Sequence, residues 1–120
     1  MATIAAALIP APDMRFLRVR WLAITTANAV GAAVEMASHA DRSVQVVGNF
    51  GTGGEITIDG SNDGGTTYAV LTDPQGNALV FTSARLEAIT ELVGKIRPQV
   101  SAGSGAVNLD IYVSFGSHRK

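Results

Sequence analysis

The residues of this chain that could do chemistry are few, and their spacing does not assemble a catalytic set. Asp59, Ser61 and Asp63 alternate ahead of Gly64, which copies the first half of a calcium-binding loop, where alternate oxygen ligands precede a glycine at the sixth position. Continuing the count puts Val70 where that loop needs a bidentate glutamate, and alternating rather than helical patterns flank the segment. Asn62 to Gly65 therefore reads as hairpin turn chemistry, and no metal site is expected. His39 and His118 are the only imidazoles, with no second nitrogen ligand or acid near either in sequence, so both read as solvated loop or tail residues. Gly103-Ser104-Gly105 lacks both the pattern and the strand-turn-helix setting of a nucleophile elbow. Glu87 and Glu91 sit four apart, a spacing that suits a solvated face better than a glycosidase pair. The chain is expected to be no enzyme, with no catalytic residue and no cofactor.

Arg15, Arg18 and Arg20 interleave with Phe16 and Trp21 and so raise a single-stranded nucleic-acid platform as a possibility. The alternation argues against it, because Trp21 shares a face with Leu17 and Val19 while Arg18 and Arg20 point the other way. A stacking ring and its cationic partner need the same surface. The net charge of −1 and a sequence pI near 6.0 add no long-range attraction for phosphates or an anionic bilayer. Neither nucleic acid nor membrane is expected as a partner.

The elements that would hold these residues are strands. Gly54 to Pro74 is the clearest unit: Ile56 and Ile58 face one way, Thr57 and Asp59 the other. Gly60 to Gly65 then tolerates positive φ, and Tyr68 and Val70 resume the alternation. Asp73 to Asn77 closes it with a tight turn, since proline pre-sets φ and glycine accepts the left-handed region. Phe16 to Thr26 and Ala33 to Ala37 read as strands, the latter with Val34 and Met36 inward. Ala40 to Ser43 reads as a turn, and Val44 and Val46 open another strand. Leu79 and Phe81 mark the next. Ser83 to Glu91 is the one place for a helical turn or two, with Leu86, Ile89 and Val93 at helical spacing. Leu92 to Val100 carries Pro98 and so belongs at an edge or a bulge. Val107, Leu109, Ile111, Val113 and Phe115 alternate strictly with polar residues and mark a strand with one face in the core.

About eight short strands at this spacing, with at most one short helix, predict an all-β fold: an antiparallel β-sandwich, jelly-roll-like or immunoglobulin-like. At 120 residues the chain holds one such domain, expected over 14–120, behind an N-terminal arm over 1–13. Charged residues make up only 16%, so small and weakly polar side chains must cover much of the surface, which favours association. There is no cysteine, which suits synthesis in a reducing cytoplasm. The arm is apolar yet far short of a bilayer span. Its Ile4, Leu8, Ile9 and Pro10 are the first candidates for partner binding, with Arg18 and Arg20 second. Sandwich edges are expected either to pair with another chain or to be blocked by the arm.

The blocks DRSVQVVGNFG (41–51), EITIDGSNDGGTTYAVLTD (55–73), GNALVFT (76–82) and KIRPQVSAG (95–103), with VRW ahead of them, resemble the small β-sandwich virion proteins of tailed bacteriophages. That group is best interpreted as head decoration or capsid cement proteins. The resemblance spans Arg18 to Phe115, and the arm lies outside it. It implies a structural protein that binds the major capsid protein on the outer capsid surface of a virion, is made in the bacterial host cytoplasm, and self-associates, as a homotrimer or, next, a dimer. GSNDGGTT is also similar to a turn of discoidin-type carbohydrate-binding domains, so a carbohydrate-binding module is an alternative. A tail or head-to-tail connector protein is the other.

Overall fold

The computed structural model describes residues 3–9, 16–35, 41–91 and 93–116. Pro10, Arg15, Met36, His39 and His118 lie outside the described residues. Strict alternation in Asn108–Gly116 (β9) buries Leu109, Ile111, Val113 and Phe115 completely, and this strand forms the middle of a five-stranded antiparallel sheet. Phe16–Ile24 (β2) and Asp41–Asn49 (β3) flank it, with Ala7–Ile9 (β1) beyond β2 and Arg85–Ile89 (β7) beyond β3. The second sheet is built on Glu55–Ser61 (β4). Lys95–Ala102 (β8) pairs along the whole of one edge of β4, while Ala69–Val70 (β5) and Val80–Phe81 (β6) share the other. Ile56, Ile58, Phe81 and Ile96 of the second sheet meet Trp21, Val44, Val46 and the β9 row, which makes a two-layered antiparallel sandwich.

Two places depart from simple alternation. In β2 the register with β9 slips between Trp21 and Ile24, and Ala23 sits at φ 60° with its N–H on Asp110 Oδ1 at 2.9 Å. This bulge re-aims Ile24 into the core opposite Leu109, the place Ala23 would otherwise take. The second departure corrects the helical expectation for Ser83 to Glu91. Residues 85–89 are a strand paired with β3, so Leu86 and Ile89 fall on opposite faces, Leu86 65% exposed and Ile89 buried. Spacing of three fits either structure over so short a run, and the open edge of β3 offered ladder hydrogen bonds that decide it. No helix occurs among the described residues.

The arm folds back on its own chain. Residues 7–9 extend the first sheet as β1, while Ile4 N–H donates to Val30 and Ala32 N–H donates to Ile4. The segment around 29–34, which overlaps the strand expected over Ala33 to Ala37 only at its end, makes single bridges to β8 at Val30 and Val34. It carries the second sheet one step outward, and residues 4–9 thus tie that sheet to the first along one open side of the sandwich. Pro98 fits this edge: Ile96, Pro98 and Val100 direct their backbone groups to residues 29–34 rather than to β4, so the missing N–H costs no bond to β4.

Candidate interaction face

Residues paired across strands share a face, so the register assembles the outer surface of the five-stranded sheet row by row. One row runs Ile9, Arg18, Ser114, Ser43, Ala88, and the next runs Ala7, Arg20, Tyr112, Gln45, Leu86. Asp110 and Val47 continue it at one end, Gly116 and Asp41 at the other. At the usual spacing between strands the face is about 19 Å across. Its charges are Arg18 and Arg20 on β2 with Asp41 and Asp110 on the neighbouring strands, two of each sign. The remainder is small, amide or apolar, with Tyr112 near its centre and the large apolar side chain of Leu86 exposed upon it.

This arrangement sorts the residues singled out from the sequence. Ile9, Arg18 and Arg20 come together on the outer face, Arg20 exposed and Arg18 half-buried. Leu8, paired with the buried Val19, lies on the opposite side of β1 and is 65% exposed at the sheet's rim. Ile4 packs against the core instead of reaching outward. Tyr112, Ser114 and Gln45 are legible as outward positions between apolar neighbours, whereas Ser43, expected at the end of a turn over Ala40 to Ser43, is part of β3. Their assembly into one surface depends on the pairing order β2-β9-β3, which no local pattern contains.

The outer face of the second sheet is different in kind. Thr57, Asp59 and Ser61 point outward yet are buried, beside Lys95, Arg97 and Gln99 of β8. The Arg97 guanidinium lies 3.7 Å from the Tyr68 ring centroid, an arrangement that roofs Asp59. Burial pushes the Asp59 carboxyl up, against the lowering effects of its bond from the Thr57 hydroxyl (2.9 Å) and the nearby Arg97 charge. Such a surface is already committed to its own partners.

The calcium-like segment is a self-contained turn. Asp63 Oδ1 accepts from the Ser61 hydroxyl at 2.7 Å, Thr67 N–H at 2.9 Å and Thr66 N–H at 3.1 Å, and Ser61 Oγ accepts from Gly65 N–H at 3.0 Å. The Thr67 N–H and Ser61 hydroxyl hold the Asp63 carboxyl down at about 2. Among the described residues, no three His, Cys, Asp or Glu side chains gather as a metal site. Glu91, expected on a solvated helical face with Glu87, lies two residues beyond the end of β7. Burial would raise its carboxyl, but the Thr72 hydroxyl and N–H both bond to it and leave it below the usual carboxylate range. Glu87 stands instead beside Arg85, at 3.6 Å.

Compared with known families and curated proteins, the chain matches no family model and no curated sequence.

Proposed function

We propose that this chain is a structural virion protein that binds the outer surface of a bacteriophage capsid and stabilises the shell, without catalysis. The observation that carries the mode of action is the outer face of the five-stranded sheet, broad, extended over five strands and carrying balanced, sparse charge. The edges support contact by faces. β1 and residues 4–6 cover one side, and on the edge strand β7 the core-side positions are Arg85 and Glu87, whose charges oppose strand addition. The capsid assignment itself rests on the resemblance of residues 18–115 to phage decoration proteins.

A shell-binding protein of this kind needs only a rigid body and area to share. Binding the mature shell and not its opened state stabilises the shell by RT ln(1 + [L]/Kd), about 4 kcal/mol per site at a thousandfold excess over Kd. Self-association around a symmetry axis, as a homotrimer or next a dimer, multiplies those contacts. The test is quantitative gel densitometry of purified particles against the major shell protein, with a Tyr112→Lys chain supplied in parallel. Hundreds of copies per particle, lost with Tyr112→Lys, support the reading. A dozen copies or fewer indicate a connector or tail component, and absence from particles overturns the proposal.

A further inference from the structure

At the loop end of β4 a groove of about 520 Å³ opens between the β4–β5 turn and the residues Glu91 and Val93. Its floor is apolar: Leu71 and Val93 line it with Ala69, which pairs with Gly60 and so shares its face. Leu71 and Val93 converge there because Gly60 has no side chain, since a Cβ at that position would lie 2.6 Å from Leu71 Cδ2 and 2.8 Å from Val93 Cγ2. Asp63 and Glu91 stand on its rim, and no lysine or arginine is among its lining residues. The cations of the adjoining strand lie on the outer face, Lys95 paired in register with Ser61 and its ammonium beside Gly65, Arg97 paired with Asp59 and its guanidinium over the Tyr68 ring.

We infer that this groove receives a lysine or arginine side chain of a partner chain, with the aliphatic stem on Ala69, Leu71 and Val93 and the cation at Asp63 and Glu91. The chemistry is complementary at both ends. Long cationic side chains lay their methylene stems on apolar surface and keep the charge at a polar rim, and both rim carboxylates are fixed in place by hydrogen bonds from their own chain. These bonds hold both carboxylates ionised. The volume falls in the range of ligand clefts, about 300–1,000 Å³. A partner chain fits better than a free amine because the groove opens beside β5, whose Ala69 and Val70 are both exposed, leaving room for main chain next to the inserted side chain.

The inference stands on the groove alone and does not depend on the virion reading. Its test is a titration of the full, 15N-labelled chain with Nα-acetyl-lysine N-methylamide, with the Nε-acetylated and norleucine counterparts as neutral controls. Amide shifts at residues 60–63, 70–71, 91 and 93, with affinity at least about fivefold above both controls, are expected. Glu91→Gln and Asp63→Asn should each weaken the lysine probe and leave the norleucine probe unchanged. Ala69→Lys, an exposed position paired with Gly60, should block the probe by placing an ammonium of its own in the groove, which keeps the test decisive if a rim variant fails to fold. Equal response to the three probes, or no shift by about 50 mM of the lysine probe, overturns the inference.

Discussion

The Trp21 indole N–H donates to the Ala32 carbonyl at 2.9 Å, so the first sheet is hydrogen-bonded to the segment that edges the second. Gly31, next to that carbonyl, is pressed between the same ring and Pro98. A Cβ there would lie 2.6 Å from Trp21 Cδ1 and 2.7 Å from the proline ring, with no room to yield toward backbone-tethered Pro98. Gly31→Ala should cost about 1–3 kcal/mol by urea unfolding, while Ala33→Ser, exposed two residues on, should leave the midpoint unchanged. An unperturbed Gly31→Ala midpoint would show that the two sheets are not locked at this point.

The arm contributes to folding as well as surface. Ile4→Ala should lower stability by about 1–2 kcal/mol, less than a fully buried isoleucine, because Ile4 is only partly covered by the core. Deleting residues 1–9 should cost more, since it also removes the ladder to β2 and the bonds to Val30 and Ala32. Thermal melts of the two variants check this. An arm that served only a partner would leave both melts unchanged.

Asp63 ties stability to acid pH. Its folded-state value of about 2 lies below the ordinary aspartate value near 3.9, so the folded chain binds its proton less readily than the unfolded chain. Its contribution is therefore present above pH 4 and lost as pH falls through about 2. Urea midpoints between pH 5 and pH 2 should fall for the native chain and fall less for Asp63→Asn, in which that titration is gone. Parallel slopes would count against the turn as the origin.

Strand β7 keeps a row of charge where its edge could recruit another chain. Arg85 lies over the Phe81 ring at 4.9 Å and beside Glu87, both on the side of β7 that faces the sandwich interior. Replacing both with valine should leave the domain folded and produce concentration-dependent association beyond that of the native chain in sedimentation velocity. The native chain's distribution at every concentration would mean that something other than these charges shields the edge.

Much of the fold is legible along the chain where burial is one-sided. In β9 the apolar residues take every second place, and in Asp73 to Asn77 the side chain of Asp73 accepts from Gln75 and Asn77 N–H groups while Gly76 takes φ 87°. Reading is weaker where a strand is short or covered on both faces. The alternation in β4 separates Ile56 and Ile58 from Thr57 and Asp59, but all four are buried, because β8 and the Arg97–Tyr68 stack cover the polar side. The bulge at Ala23 is hidden for a related reason: Leu17, Val19 and Trp21 keep a period of two that Ile24 breaks by one residue.

The amino-acid sequence by itself determined the all-β class, the antiparallel sandwich, the strand of Val107 to Phe115 and the hairpin of Gly54 to Pro74, because each follows from side-chain periodicity and turn chemistry within a few neighbouring residues. Tertiary structure alone decided that residues 85–89 extend a sheet, that the arm closes one side, and that Arg18, Arg20, Tyr112 and Gln45 form one surface. Alternation says that one side of a strand is buried; it does not say which strand lies alongside. That choice is made by long-range pairing, where the hydrogen-bond groups of an edge such as β3 and the space beside a ring such as Trp21 select their partners from distant parts of the chain.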